Sequence, residues 1–409
     1  MPGNVASDLR DVPPAPDPAQ LDRLAALVAP LSRVLQPKLY GVDRLREPML
    51  LVGNHTLYGL LDVPFLIAEL WIRRRIVVRG LGDHRHYAIP VWRELLESGG
   101  MVRGTRDNVR ALMREGESIL VFPGGSDEVF KHRGERYTLK WKERVGFAKL
   151  AIEAGYPVVP FAAVGVEEMF DVVLDNRTPG ISQASELTRR LVGMPLPPLG
   201  VGLGPLVPRP ERLYFWFGEP IDTGPLRGGG DTAARALRDR TRTAVESGIR
   251  LLRAERDADP HRRLAARLLH RDAPADAARD DSRAPFVIAA VNAWNAAGAG
   301  GAAPWLASDV VLEDPPGWPR ARCRRGRDAV VERIDEVTAE LRGRWAEVLR
   351  MSAAGDEILV QLRLRASGSR EGVPVATFFA LVTVRHGEMA RLRMFVDESE
   401  VARALTAGG

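Results

Sequence analysis

Leu50-Leu51-Val52-Gly53-Asn54-His55-Thr56-Leu57-Tyr58-Gly59-Leu60-Leu61-Asp62 opens as a short apolar run, the pattern of a buried strand. It breaks at Gly53-Asn54, two residues that leave extended geometry readily. A histidine then stands at the strand's exit, and an aspartate follows seven positions later. This places an imidazole at the open edge of a sheet with an acid close by. The pair suits general-base chemistry, because an unperturbed imidazole titrates near pH ~6.5 and a carboxylate at its other nitrogen fixes the tautomer.

A second anchor lies where Ser118-Ile119-Leu120-Val121-Phe122 runs into Pro123-Gly124-Gly125-Ser126-Asp127-Glu128. Between and beyond these two loops, helical patterns alternate with short all-apolar runs at Ile76-Val77-Val78, Val158 to Val164 and Leu213 to Phe217. Fully apolar strands alternating with helices predict an α/β layer, mainly parallel and covered by helices. The helices are expected at Leu21–Leu35, Val63–Arg75, Asp107–Glu115, Phe147–Ala154 and Thr232–Arg253. The first reads as a packed amphipathic helix, with a helix lying on a membrane surface as the alternative.

Length and composition bound the rest. A chain of 409 residues is long for one core and predicts two domains. A single cysteine, Cys323, excludes an internal disulfide framework and fits a reducing compartment. No apolar run reaches the roughly 18 residues that a spanning helix needs. The net charge of +5 is mild, and neither zinc-finger spacing nor a basic region with heptads is present, so nucleic acid is not an expected partner. Gly82-Asp83-His84-Arg85-His86 has two histidines but no third ligand at sensible spacing, and they are read as polar loop residues, with no metal expected.

Two stretches bear on substrate contact. Lys131, Arg133, Arg136, Lys140, Lys142 and Arg144 interleave with Tyr137 and Trp141. The bland reading is a solvated face. The functional one is a cationic rim, led by Lys131, Arg133 and Arg136, for a phosphorylated nucleotide carrier or lipid head groups. Leu191 to Pro208 is Leu, Val, Pro and Gly with hardly a charge. It reads as a packed loop or as an apolar lip dipping into lipid or over a substrate tunnel.

The expected boundaries are a disordered tail at 1–20, a first domain at 21–254, a linker poor in apolar residues at 255–283 and a second domain at 284–407. In the second domain, helices at Pro285–Ala297 and Arg327–Leu341 combine with strands alternating at period two through Ala346–Met351, Glu357–Ala366, Val373–Arg385 and Ala390–Val396. That order predicts an α+β domain.

Gly124-Gly125-Ser126-Asp127-Glu128 invites comparison with the G-x-S-x-G nucleophile elbow, but Glu128 stands where the closing glycine belongs. A different resemblance covers more of the chain. Val52-Gly53-Asn54-His55, Phe122-Pro123-Gly124-Gly125 with Glu128, Val159-Pro160-Phe161 and Gly218-Glu219-Pro220-Ile221 together resemble the lysophospholipid/glycerol acyltransferase superfamily. Lys38 to Asp222 looks most like its neutral-lipid branch, which includes type-2 diacylglycerol acyltransferases and phytyl-ester synthases. The resemblance implies that His55 is the base taking the proton from an acceptor alcohol. The alkoxide then attacks an acyl thioester, with acyl-CoA as co-substrate and no cofactor. It also implies substrate contact by Asn54, Phe122, Pro123, Gly124, Gly125 and Glu128.

Two departures stand out. The superfamily's H-x4-D would place the acid at position 60, which is Leu60, and the aspartate is Asp62. If the segment is helical, a spacing of seven still puts His55 and Asp62 on one face. The glycerophosphate branch's F-P-E-G-T-R block is here Phe122-Pro123-Gly124-Gly125-Ser126-Asp127, without its glutamate or arginine.

The C-terminal region, Ala284 to Leu405, resembles the SnoaL-like branch of the nuclear-transport-factor-2 fold, a cone-shaped α+β domain. Phe286 to Trp294, Val311-Leu312-Glu313-Asp314-Pro315-Pro316 and Arg325-Gly326-Arg327-Asp328-Ala329-Val330 carry that likeness. Trp294, Trp305 and Phe395 are core residues that could also border a pocket.

The expected activity is therefore fatty acyl transfer to a neutral lipid hydroxyl (diacylglycerol, monoacylglycerol or a long-chain alcohol) by a cytoplasmic protein peripheral on a membrane's inner face. Partners are acyl-CoA, the lipid acceptor and the membrane, and the C-terminal domain leaves room for a homodimer. The alternatives are a lysophospholipid or glycerol-phosphate acyltransferase, an isomerase or cyclase acting from the C-terminal domain, and a non-catalytic lipid-binding scaffold.

Overall fold

The computed structural model describes residues 12–59, 61–82, 99–192, 196–259, 261–269, 283–318, 321–342, 345–354, 356–366 and 373–406. The chain folds as two units that divide between residues 280 and 281. The paired histidines at 84 and 86 lie outside the described residues.

In the first unit, β1 (Lys38–Tyr40), β2 (Leu50–Gly53), β3 (Val78–Gly82), β4 (Val102–Arg103), β5 (Ser118–Val121), β6 (Val158–Val164) and β9 (Tyr214–Phe217) form a sheet in the order β1-β9-β6-β2-β5-β3-β4. All neighbours are parallel except β6 and β9. Every residue of β2, β6 and β9 is buried, as expected of strands covered on both faces. Strand β3 starts at Val78 rather than at Ile76, because the preceding helix ends in a left-handed Arg75 and Ile76 is still completing that turn with its N–H on Leu70.

The helix Pro18–Leu35 is capped reciprocally by Asp17 and Gln20. It buries Leu21, Val28 and Leu35 in one cluster with Phe65, Leu66 and Leu70 of the helix Val63–Arg74 and with Leu51, Phe161 and Phe215 of the sheet. Its Leu27 and Leu31 face outward.

The stretch read as a linker from residue 255 divides. The long helix runs on from Gly230 to Ala258, and Asp259 accepts from Arg212 at 2.9 Å and from the Tyr214 hydroxyl at 2.7 Å, fully inside the first unit. Arg267, on the helix Leu264–Leu269, is buried and donates to the Val34 carbonyl. Composition misled here because polar residues, not apolar ones, fasten this segment.

Between β6 and β9 the chain makes an excursion: β7 (Asp171–Leu174) pairs antiparallel with β8 (Leu199–Val201), and the helix Ile181–Val192 lies between them in sequence. Leu203, Leu206 and Val207, just after β8, are exposed, so this part of the apolar stretch is a surface lip and not a packed loop.

The second unit is a six-stranded sheet among the described residues, in the order β11 (Cys323–Arg325), β10 (Leu306–Glu313), β15 (Glu388–Phe395), β14 (Pro374–Arg385), β13 (Glu357–Arg365), β12 (Trp345–Ala354). It is antiparallel except between β10 and β15. Helices Ala284–Ala297 and Arg327–Glu340 complete the α+β fold expected.

Candidate functional site

Strand β2 delivers Asn54 and His55 at the carboxyl ends of the parallel strands, where α/β sheets expose their loops. Asn54 is fully buried. Its amide donates to the Ala163 carbonyl at 3.0 Å and accepts from the Ala163 N–H at 2.9 Å. Expected at the substrate, it instead staples the exit of β2 to β6 and so fixes where the next residue points.

The described residues between His55 and Asp62 are not helical: Tyr58 and Gly59 are both left-handed, at φ 62° and 65°, and the helix begins at Val63. The shared helical face proposed for His55 and Asp62 therefore does not exist, and the tight turn replaces it. Asp62 is buried at the helix entrance, and its Oδ1 has no hydrogen-bond partner among the described residues. Burial pushes its carboxyl up to about 6, against the opposing pull of Thr56 and Lys131.

The half-buried imidazole of His55 stacks on the Phe122 ring, with centroids 4.0 Å apart and planes within 6°. Its backbone N–H donates to Glu128 Oε2 at 2.7 Å, and Glu128 Oε1 accepts from the Lys140 N–H at 2.8 Å. Glu128 is completely buried, and burial raises its pKa although the His55 N–H and Lys131 favour the charged form. It organises the site from beneath and is not a surface contact for substrate.

Gly124 explains itself by this carboxylate. A Cβ at position 124 would lie 2.1 Å from Glu128 Cδ, so the Glu128 side chain fills the space that a side chain on residue 124 would take. The F-P-E-G-T-R block with which this loop was compared, that of the glycerophosphate branch, would put a glutamate at position 124, and here a carboxylate arrives from Glu128, four residues further on. Gly125, at φ 52° and ψ −141°, needs the freedom of glycine. Arg144 supplies a guanidinium to the same loop, with Nη1 on the Pro123 carbonyl at 2.8 Å and the Gly124 carbonyl at 2.6 Å, and Nη2 on Asp127 at 2.7 Å.

The cationic stretch disperses. Lys131, expected at the rim, is buried, ion-paired with Glu167, and donates to the His55 carbonyl at 3.2 Å. Arg136 binds Asp171 and the Phe170 carbonyl, Lys140 pairs with Glu135, and Lys142 pairs with Asp127. Arg133 remains exposed, with its backbone N–H on Asp175. Charge density in the sequence here reflects internal pairing, which spacing alone does not reveal.

Tyr58 was not singled out by its residue type, yet it joins the histidine turn to the lip. Its hydroxyl donates to the Pro198 carbonyl at 2.9 Å and accepts from the Gly200 N–H at 2.8 Å, and its ring meets Phe170 edge-on.

Beside Phe122 and Pro123 a cavity of about 520 Å³ has an apolar wall of Leu81, Val109, Val121 and Phe147 and carries Arg106, Arg144 and Lys149. Among the described residues no cluster of His, Cys, Asp or Glu could hold a metal ion, and no helix is long and apolar enough to cross a membrane.

A mainly parallel sheet with a histidine at a strand exit, backed by a Phe-Pro-Gly-Gly loop, defines an acyltransferase-type domain. Comparison with known proteins agrees. Residues 36–164 match the Acyltransferase family model and residues 287–392 the SnoaL-like domain model. The chain carries an acyltransferase-family domain followed by a SnoaL-like domain. Phytyl ester synthase 2, chloroplastic, of Arabidopsis thaliana is 31% identical over 54% of this chain and 35% of its own length. The human "DGAT1/2-independent enzyme synthesizing storage lipids" is 24% identical over 57% of this chain and 64% of its own. Uncharacterized protein Mb0514 of Mycobacterium bovis is 29% identical over 49% and 57%. The similarity to the plant synthases thus spans about a third of their length.

Proposed function

We propose that the protein transfers a fatty acyl group from acyl-CoA to the hydroxyl of a neutral lipid, with His55 as the general base. His55 takes the hydroxyl proton as the alkoxide oxygen attacks the thioester carbonyl. Collapse of the tetrahedral adduct breaks the C–S bond, and the departing thiolate takes up the proton to leave as CoA thiol. The observation that carries this reading is the imidazole held against Phe122 while Glu128 grips its backbone, with Phe122 itself on the wall of the cavity of about 520 Å³. Asp62, buried where the turn enters the helix, is assigned as the acid that supports the site. The exposed Leu203, Leu206 and Val207 suit peripheral contact with a lipid surface, where acceptor and product reside.

The test is His55→Ala. A base contributes roughly 10²–10⁴ in rate, so acyl transfer from labelled long-chain acyl-CoA should fall by that factor while the circular dichroism spectrum stays the same. Equal turnover by wild type and variant would end the assignment.

A further inference from the structure

We infer that the buried ion pair of Lys131 and Glu167 is a positioning device for the general base: through the His55 carbonyl it sets where the imidazole stands when it takes the acceptor's proton. The inference rests on the acyl transfer proposed above, with His55 as its base, and extends it to two residues that the motifs do not include.

His55 lies past the end of β2, where the sheet ladder no longer holds its peptide groups. Each is met instead by a buried charge from one short segment. Glu128 accepts from the His55 N–H at 2.7 Å, and Lys131 Nζ donates to the His55 carbonyl at 3.2 Å. Charge-assisted bonds of this kind are roughly twice as strong as neutral ones. Between the two, the Val129 carbonyl accepts from the Tyr58 N–H at 3.2 Å, so the segment 128–131 also holds the far side of the histidine turn. The ring itself has little room: Phe122 stacks on one face, and a Cβ on Gly59 would lie 2.5 Å from the ring's Cε1. The place of the imidazole therefore follows from the backbone that carries it.

Lys131 and Glu167 are each only 2% exposed. Lys131 Nζ bonds to Glu167 Oε1, while Glu167 Oε2 accepts from the Tyr137 N–H. Glu167 sits on the short turn Val166–Glu168, directly beyond β6. Strand β6 thus reaches the histidine by two routes: through Asn54 before it, and through Glu167 and Lys131 at its carbonyl. Replacing a buried ion pair by apolar side chains of similar volume is often neutral or stabilising, so stability alone is a weak reason for this pair. A fixed direction for the His55 carbonyl is a stronger one. Burial raises the carboxyls of Asp62, Glu128 and Glu167, and the Lys131 ammonium opposes that rise in all three. Its contact with His55 is through the peptide group, which makes Lys131 a positioning residue.

Lys131→Met alone would strand the Glu167 carboxylate in the interior, so the test uses the double variant Lys131→Met/Glu167→Gln in the full-length protein. Native near-ultraviolet dichroism is the criterion of folding. Two quantities are compared with wild type. The first is kcat and KM for transfer from labelled long-chain acyl-CoA to diacylglycerol. The second is the rate at which diethyl pyrocarbonate modifies His55 at about pH 8, where an unperturbed imidazole is neutral. Peptide mass spectrometry reads that rate, with His386 of the second unit as internal standard. The double variant should lose roughly ten- to hundredfold in kcat, since a misplacement of about 1 Å can cost that much, with KM unchanged. Its His55 should react several-fold faster as the ring leaves its stack on Phe122. A merely structural pair would move neither quantity. A folded double variant with wild-type kcat overturns the proposal, as does an unchanged His55 rate or a loss carried by KM. Failure of the double variant to fold assigns the pair to stability and overturns it too. A wild-type protein that transfers no acyl group would instead sink the acyl-transfer reading, and the His55 rate would still judge the positioning.

Discussion

The backbone N–H of His55 and the carboxylate of Glu128 are joined at 2.7 Å, and the space that carboxylate occupies is the space a side chain on Gly124 would need. The two loops are therefore one assembly, and positions 124 and 128 should behave as a coupled pair. Gly124→Ala alone should be strongly damaging, because the methyl collides with Glu128. Glu128→Ala should also damage, by leaving the His55 and Lys140 N–H groups without their acceptor, at about 1–3 kcal/mol each. In the Glu128→Ala background the added methyl at 124 has room, so a double-mutant cycle by urea denaturation should give less than the sum of the single costs. Additive losses would show that the collision is not what keeps position 124 a glycine.

Asp62 has a pH signature. Its carboxyl titrates at about 6 in the folded protein because it is buried, against 3.8 for the unperturbed group. A raised pKa means that the folded state holds the proton more tightly, so the stabilising contribution is whole below about pH 4 and is lost as pH rises through about 6. The ionised form then costs about 3 kcal/mol at neutral pH, from about two units at 1.36 kcal/mol each. Asp62→Asn should accordingly be more stable than wild type at pH 7, with the gap closing by pH 4, and less active. A thermal-denaturation series across that range decides it, and a variant destabilised at pH 7 would contradict the burial argument.

Much of this was legible beforehand, for a physical reason. Strands β2, β5, β6 and β9 are covered on both sides and so are written as unbroken apolar runs, and the breaks at Gly53 and Pro123 mark where they end. The second unit was equally readable because its strands alternate. What stayed hidden were interactions between residues far apart in sequence. Lys131 looked like a surface cation until Glu167 was seen beside it, and Asn54 looked like a ligand until its amide met Ala163. Arg267 and Asp259 hold a polar segment to the first unit through carbonyls, a hydroxyl and an arginine, which composition cannot signal. The left-handed Tyr58 defeated the helical spacing argument, since a non-glycine residue with positive φ is uncommon.

Tyr58 should matter more to activity than to stability. Its hydroxyl makes two bonds to the segment before the lip, while its ring remains packed on Phe170. Tyr58→Phe keeps the ring and removes about 1 kcal/mol for each bond. We expect a small change in Tm and a several-fold fall in kcat/KM for long-chain substrates. An unchanged kcat/KM would mean that the lip and the histidine turn work independently.

The units should part between residues 270 and 282. Helix Leu264–Leu269 is fastened to the first unit through Arg267, whereas the Ala-, Asp- and Arg-rich sequence that follows offers little apolar surface to bury. Limited proteolysis should cut there rather than near residue 255, and a chain ending at 269 should keep acyl transfer. A first cut between 255 and 265 would show that the Asp259 and Arg267 contacts do not hold this segment.

The acceptor is the sharpest question the site poses. A phosphorylated acceptor such as lysophosphatidate brings about two negative charges, which must meet cations if they are buried. The loop that would receive them holds Asp127. Burial works against its ionised form, but Lys142 and Arg144 keep its carboxyl below the usual range. The arginine at this loop is thus already neutralised by a neighbour. Lys131, which could otherwise rescue a phosphate, is buried against Glu167, and Arg136 is taken by Asp171. Arg133 alone of that trio stays exposed without a side-chain ion pair among the described residues. A phosphate placed here would face an ionised carboxylate and cations already committed elsewhere, whereas a neutral hydroxyl would face neither penalty. Diacylglycerol, monoacylglycerol or a long-chain alcohol should therefore be acylated in preference to lysophosphatidate. The comparison is kcat/KM for diacylglycerol, a fatty alcohol and lysophosphatidate in the same detergent. If lysophosphatidate is clearly preferred, the neutral acceptor is wrong while the role of His55 stands.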